Sequence, residues 1–141
     1  MSSQKAKTLG INPLARVVTS VSAGIDPAIM GLGPAVAIPR ALKCADLSFD
    51  DIDYWEINEA FAAQFIGVQR MLEENHNVSF DMEKVNRNGS GISLGHPVGC
   101  SGLRIIVTLL YEMKKLDVRY GCASLCAGGG PAMATIIAND R

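Results

Sequence analysis

Charge of a dominant sign is what this sequence most lacks. Thirteen lysines and arginines stand against fourteen aspartates and glutamates in 141 residues, a formal net charge of −1. That balance offers no basic surface to a phosphate backbone, which excludes nucleic acid as an expected partner. Long hydrophobic runs are missing too. Although 48% of the residues are hydrophobic, Arg104 and Thr108 interrupt the longest apolar stretch before it reaches the roughly 20 residues of a membrane span, so no membrane association is expected. The four cysteines, Cys44, Cys100, Cys122 and Cys126, include no Cys-x-x-Cys pair, and no signal peptide is visible. Free thiols in a reducing cytoplasm fit better than a disulfide framework. Zinc spacing is absent as well: Cys122 and Cys126 combine with His96 only by force, and a strand position beside a glycine turn explains them more simply, so no metal is expected. The length suffices for one real hydrophobic core, as in a soluble globular domain.

Glycine is what the sequence has in place of charge, and it is concentrated. The stretch Asn86 to Gly102, NRNGSGISLGHPVGCSG, lets backbone approach a ligand closely and places His96 beside the glycines. Within Gly-His-Pro, Gly95 tolerates dihedral angles other residues avoid. Pro97 has a fixed φ and no N–H, which suits the first turn of a helix, so a helix start is expected there. Further on, GCASLCAGGGPAM brings an apolar strand to Cys126 and then breaks into three glycines. A histidine and a cysteine in such surroundings point to proton transfer.

Taken in order, Met1 to Gly10 is expected to be a short helix ended by Gly10, with residues 1–12 a remnant helix or linker. A domain over 13–141 follows. Its first strand is LARVVTSVS, Leu14 to Ser22, rich in β-branched residues. After a loop through Gly24, Asp26 and Pro27, Pro34 opens a helix to about Ala45, and Asp53 to Ile57 is a strand. Asn58 ends that strand and Glu59 begins a helix, which gives Asn58 the position of an N-cap. Residues 73–84 are polar and irregular, a surface loop in which His76 is solvated. A helix over 103–116 and two strands, 121–125 and 132–138, complete the chain, the strands pairing antiparallel across the glycine turn. The order strand, helix, strand, helix, short strand, helix, strand, strand defines an α/β domain with a mixed five-stranded sheet and helices on both faces. The helices after Asn58 and Pro97 are apolar around most of their circumference, which asks for a covering layer beyond one three-layer domain.

The set NEAFA at Asn58 to Ala62, then GHPxGxSG, then CxGGG resembles the thiolases, in that family's C-terminal half, from about Pro13 onward. The resemblance implies one of two similar halves that stack as five alternating layers, and acyl transfer between coenzyme A thioesters by Claisen condensation or thiolysis. No cofactor is implied; acyl-CoA and CoA are substrates. The nucleophilic cysteine of thiolases belongs to an N-terminal half that this sequence does not contain, so that half is an implied partner and the chain alone is expected to be inactive. Two departures stand out: Ser90 and Gly91 where many thiolases have Gly-Ala, and Cys100 where a small residue is usual. Neither changes a proton carrier.

Residue by residue, the resemblance assigns His96 to activation of the nucleophile and stabilisation of an enolate oxygen. It makes Cys126 the acid/base group, Asn58 the holder of a catalytic water, and the Gly128 N–H an oxyanion donor. A side chain at Gly128 would crowd the acyl-enzyme. Met30 borders the acyl pocket or simply fills a gap in the core, and Phe61 borders the pantetheine tunnel or belongs to the core; both pairs of alternatives stay open. Cys100 and Cys122 have the character of small buried hydrophobes. Because the two halves of a thiolase are alike, the apolar helices also suggest a homo-oligomer formed by pairing of identical faces, with Ile106 and Leu110 at the contact. Three functional classes follow: an acetyl-CoA acetyltransferase-type domain, a degradative 3-ketoacyl-CoA thiolase domain, and a non-catalytic thiolase-like binding module.

Overall fold

The computed structural model describes residues 1–139; Asp140 and Arg141, the end of the expected domain, lie outside the described residues. Helix α1 (Ser3–Thr8) starts where the Ser2 hydroxyl accepts the Lys5 N–H at 3.2 Å, and Gly10, at φ +64°, closes it. Strand β1 (Arg16–Gly24) leads into a 3₁₀ segment, Pro27–Leu32, and helix α2 (Pro34–Ala45) begins at the expected proline. Strand β2 (Tyr54–Ile57), helix α3 (Ala62–His76), a short helix α4 (Gly91–Leu94), helix α5 (Ser101–Leu116) and strands β3 (Tyr120–Cys126) and β4 (Pro131–Ala138) follow.

The sheet has the order β1-β4-β3-β2. β2 and β3 run parallel; β4 is antiparallel to both of its neighbours, β3 and β1. Among the described residues four strands are present rather than five. The short fifth strand is reduced to one bridge between Val85 and Trp55, because a 3₁₀ turn at Met82–Lys84 precedes it and Asn86, at φ +48°, turns the chain away after it.

Alternation along β2 divides the core. Trp55 and Ile57 face α2 and α3, packing with Ile38, Leu42, Phe65, Val68 and Leu72, whereas Tyr54 faces α5 and packs with Ile105, Leu109 and Met113. Helices therefore cover both faces of the sheet, as the sequence pattern implied.

Three local expectations are corrected. The helix after His96 starts at Ser101 and not at Pro97, because Gly99 adopts φ +80° and the N–H groups of Cys100 and Ser101 both return to the Pro97 carbonyl, at 3.0 and 3.1 Å. α3 runs on to His76, into the expected loop, and presents Arg70, Glu73 and Glu74 outward; it has the polar face its apolar content had seemed to deny it. On α5 the expected ridge is present but rotated: Leu103, Val107 and Tyr111 are exposed four residues apart, while Ile106 and Leu110 are half-buried against the core.

Candidate active site

In open α/β sheets ligands gather beyond the carboxyl ends of parallel strands. Here those ends belong to β2 and β3, whose register sets Ile57 opposite Ser124. The Asn58 N–H donates to the Ser124 carbonyl at 2.9 Å, which carries the pairing one residue further and places Asn58 near Cys126. Asn58 does not cap a helix: α3 begins at Ala62 with Phe61 in the N-cap position. Its side chain is 1% exposed, and neither its Oδ1 nor its Nδ2 has a hydrogen-bond partner among the described residues. An amide so buried is costly unless it serves a ligand or a bound water.

The backbone on either side of Asn58 is clamped by residues that motif reasoning passed over. The Ile57 N–H donates to Asn86 Oδ1, and Asn86 Nδ2 donates to the Ile57 carbonyl and to Glu59 Oε1, each at 2.8 Å. Ser90 Oγ donates to the Ile57 carbonyl at 3.1 Å and accepts the Glu59 N–H at 3.2 Å. At Gly91 a Cβ would lie 2.6 Å from the Glu59 carbonyl oxygen and 3.0 Å from Asn58 Oδ1, so only glycine lets α4 sit this close.

From α4 the chain passes through Gly95, at φ +91°, to an exposed His96. His96 Nδ1 lies 2.5 Å from Ser101 Oγ, and that hydroxyl donates to the Pro97 carbonyl at 3.2 Å. A serine has one proton to give. With it committed to Pro97, Ser101 accepts from the histidine, which puts the imidazole proton on Nδ1 and leaves the Nε2 lone pair free to act as a base. The first turn of α5 meets β3 just before Cys126, where a Cβ at Gly102 would lie 3.7 Å from Leu125 Cδ1.

Cys126 closes β3 and is buried, and burial pushes its thiol above the ordinary value of 9.0. The protonated thiol is therefore the resting form of this domain. Beyond it, Ala127 N–H donates to the Pro131 carbonyl at 2.8 Å, and Gly129 and Gly130 adopt φ of +92° and +101°. A Cβ at Gly130 would fall 2.3 Å from the Ile25 carbonyl oxygen; at Gly128 nothing lies within 4 Å. The last two glycines thus make the turn, while Gly128 faces open space. Any crowding of a side chain at Gly128 comes from outside this chain.

Two margins remain. Gln64 donates from Nε2 to the Gly31 carbonyl at 2.9 Å and accepts the Ala60 N–H at 3.0 Å, which fastens the half-buried Met30 segment to the residues after Asn58. Phe61 is 70% exposed and is not a core residue. Cys100 is exposed, contrary to the expectation of a buried hydrophobe, because it ends the turn before α5; Cys122 is fully buried, with its thiol pushed up to about 12. The fold brings Asn58, the His96 segment, Cys126 and Gly128 to one end of the sheet. Among the described residues, the side chains of Asn58, His96 and Cys126 make no hydrogen bond to one another. No three His, Cys, Asp or Glu side chains among them gather as a metal site requires, and no helix is long and apolar enough to cross a membrane.

A mixed α/β domain thus brings a histidine segment, an unpartnered buried amide and a buried thiol to the ends of its parallel strands. The chain belongs to the family described as thiolase, C-terminal domain, whose model matches residues 11–139. It is 54% identical over 137 residues to an acetyl-CoA acetyltransferase of Syntrophomonas wolfei, covering 97% of this chain and 34% of the relative. A solved structure of acetyl-CoA acetyltransferase from that organism superimposes with a TM-score of 0.97 at 54% identity over 99% of this chain and 35% of the other. Human mitochondrial 3-ketoacyl-CoA thiolase in complex with CoA gives 0.92 at 44% identity, with 99% and 34% covered. The chain spans about a third of the length of the relatives it matches.

Proposed function

We propose that this chain is the C-terminal catalytic portion of an acetyl-CoA acetyltransferase-type thiolase, moving acyl groups between CoA thioesters in the cytoplasm. The observation that carries the proposal is the Ser101–His96 contact, which leaves Nε2 unprotonated at the same sheet end as Asn58 and Cys126. His96 Nε2 takes the proton of a nucleophilic cysteine supplied by the other two thirds of a complete thiolase. The resulting thiolate attacks the thioester carbonyl and expels CoA thiolate, which is protonated as it leaves. In condensation, His96 Nε2, free again once it has protonated the departing CoA, takes the proton of Cys126, and Cys126 as thiolate removes the α-proton of a second acetyl-CoA. The enolate carbon attacks the acyl-enzyme carbonyl, a C–C bond forms and the nucleophilic thiolate departs. Cleavage runs the same steps backwards, and there the protonated Cys126 gives its proton to the α-carbon.

Charge develops on oxygen in each step, and donors aimed at it lower the barrier. His96, now carrying a proton on Nε2, and a water held by Asn58 serve the enolate oxygen; the Gly128 N–H serves the tetrahedral one. Burial favours the thiol form of Cys126, so its use as a base needs positive charge from the imidazolium or from the rest of the enzyme. Met30 and Phe61 sit at the margin where the acyl and pantetheine parts would lie. The rest of the enzyme also covers the exposed ridge of α5. The purified 141-residue chain should show no thiolysis of acetoacetyl-CoA, and a co-expressed N-terminal thiolase portion should restore it; robust turnover by this chain alone would refute the division of roles.

A further inference from the structure

In the reading given above, His96 and a water on Asn58 both serve the enolate oxygen, yet they stand on separate stretches of chain. Ser90 joins those stretches. It is the N-cap residue of α4, the four-residue helix whose far end leads through Gly95 into His96. The residue is fully buried, and its hydroxyl bridges the peptide groups on either side of Asn58: Oγ donates to the Ile57 carbonyl at 3.1 Å and accepts the Glu59 N–H at 3.2 Å. A serine hydroxyl has one proton and two lone pairs, so both bonds form together.

The bridge is anchored at its own end. The Ser90 N–H donates to Ser93 Oγ at 3.1 Å, and the Ser90 carbonyl accepts the Leu94 N–H at 2.9 Å and the Ser93 hydroxyl at 3.4 Å. Ser90 is therefore committed to α4 through its backbone and to the Asn58 segment through its side chain. Gly91 completes the fit, because a Cβ there would lie 2.6 Å from the Glu59 carbonyl oxygen and 3.0 Å from Asn58 Oδ1 and would push away the segment that Ser90 holds. The Asn58 amide has no hydrogen-bond partner of its own among the described residues. Its direction is set by its backbone and by packing. The Ile57 carbonyl also accepts a bond from Asn86 Nδ2 at 2.8 Å, so the strand end stays held without Ser90; the Glu59 N–H is the group that loss of the hydroxyl frees.

We propose that Ser90 is a positioning residue for the enolate step: its hydroxyl fixes the backbone on both sides of Asn58 and so sets where that amide places its water relative to the histidine segment that α4 carries. Ser90 touches no substrate and acts through Asn58. His96 has a holder of its own in Ser101, so acylation does not depend on the bridge. The inference rests on the assignment of Asn58 to the enolate oxygen given above.

The test is made in the complete thiolase chain that contains this domain. Acylation by acetyl-CoA and exchange of the acetyl-CoA α-protons with deuterated solvent are read for Ser90→Ala, Asn58→Ala and the double variant. Ser90→Ala should slow the exchange about tenfold, as loss of one hydrogen bond in the transition state does, and should acylate at close to the wild-type rate. On the Asn58→Ala background the effect should vanish, so that the double variant exchanges no more slowly than Asn58→Ala alone. A serine that merely supports the fold would slow both steps, or would slow exchange by the same factor with and without Asn58. Either result would overturn the proposal, as would normal exchange in Ser90→Ala. If Ser90→Ala does not fold, Ser90→Cys takes its place in the cycle: the thiol fills the site but is a weak donor and acceptor, so the same pattern is expected and the same departures overturn the proposal. Asn58→Ala keeps the two claims apart. Normal exchange in that variant refutes the Asn58 assignment itself; slowed exchange there beside an unaffected Ser90→Ala refutes only the positioning role.

Discussion

Ser101→Ala tests the hydrogen bond on which the base depends. In the native domain the Ser101 hydroxyl fixes the imidazole proton on Nδ1 across 2.5 Å, and when Nε2 takes up a proton the same contact becomes a bond from a charged donor. Neutral hydrogen bonds contribute about 0.5–1.5 kcal/mol and bonds to charged groups about 1.5–3 kcal/mol. The alanine variant loses the larger figure in the transition state, together with the preference for the productive tautomer. At 1.36 kcal/mol per factor of ten, acylation should slow by roughly 10- to 150-fold. The assay is rapid-quench acylation of the complete enzyme by acetyl-CoA. KM should hardly change, because Ser101 is buried behind the histidine. Ser101→Thr retains the hydroxyl and should recover most of the rate. An alanine variant that acylates at the wild-type rate would refute the reasoning. Equal losses in alanine and threonine would do so too, since the loss would then follow packing and not the hydrogen bond.

Stability should depend on pH through Glu56, whose carboxyl burial raises from 4.5 to about 8 against the opposing pull of Arg104. Between those values the folded state keeps a proton that the unfolded chain has released, so stability should fall by at most about 1.4 kcal/mol per pH unit across that window and level off above it. Glu56→Gln should flatten the slope in thermal unfolding, and an unchanged slope would contradict it. The isolated chain should self-associate through the ridge of Leu103, Val107 and Tyr111, since burying apolar surface stabilises by about 25 cal/mol per Å² and a two-fold pairing closes on itself. Leu103→Glu with Tyr111→Glu should give a monomer by light scattering; a wild-type monomer that binds no hydrophobic dye would rule the pairing out.

Much of this fold was legible from periodicity and glycine punctuation. α2 begins at its proline, β3 and β4 flank the glycine turn, and helices lie on both faces of the sheet. What escaped was set by long-range contacts. The expected short strand between the second and third helices is only the Val85 bridge, because Asn86 spends its side chain and its left-handed backbone on holding Ile57, which ends pairing after one bridge. Asn58 had every local mark of a cap, yet three residues separate it from the first turn of α3. At the site, the motifs led to His96 and Cys126 but not to Ser101, because its contact with His96 forms across a glycine turn that no helical or strand spacing describes. Glu56 was the more visible omission: an acidic residue amid apolar neighbours in a four-residue strand is a signal in itself.

The central claim, that Cys126 moves the α-proton while His96 serves acylation, is tested most directly by exchange of the acetyl-CoA α-protons with deuterated solvent, followed by NMR in the complete enzyme. Cys126→Ala should slow that exchange a hundredfold or more, as loss of an acid–base group does, while the nucleophile still acylates at close to its normal rate. A Cys126→Ala enzyme that exchanges the α-protons as fast as wild type would contradict it.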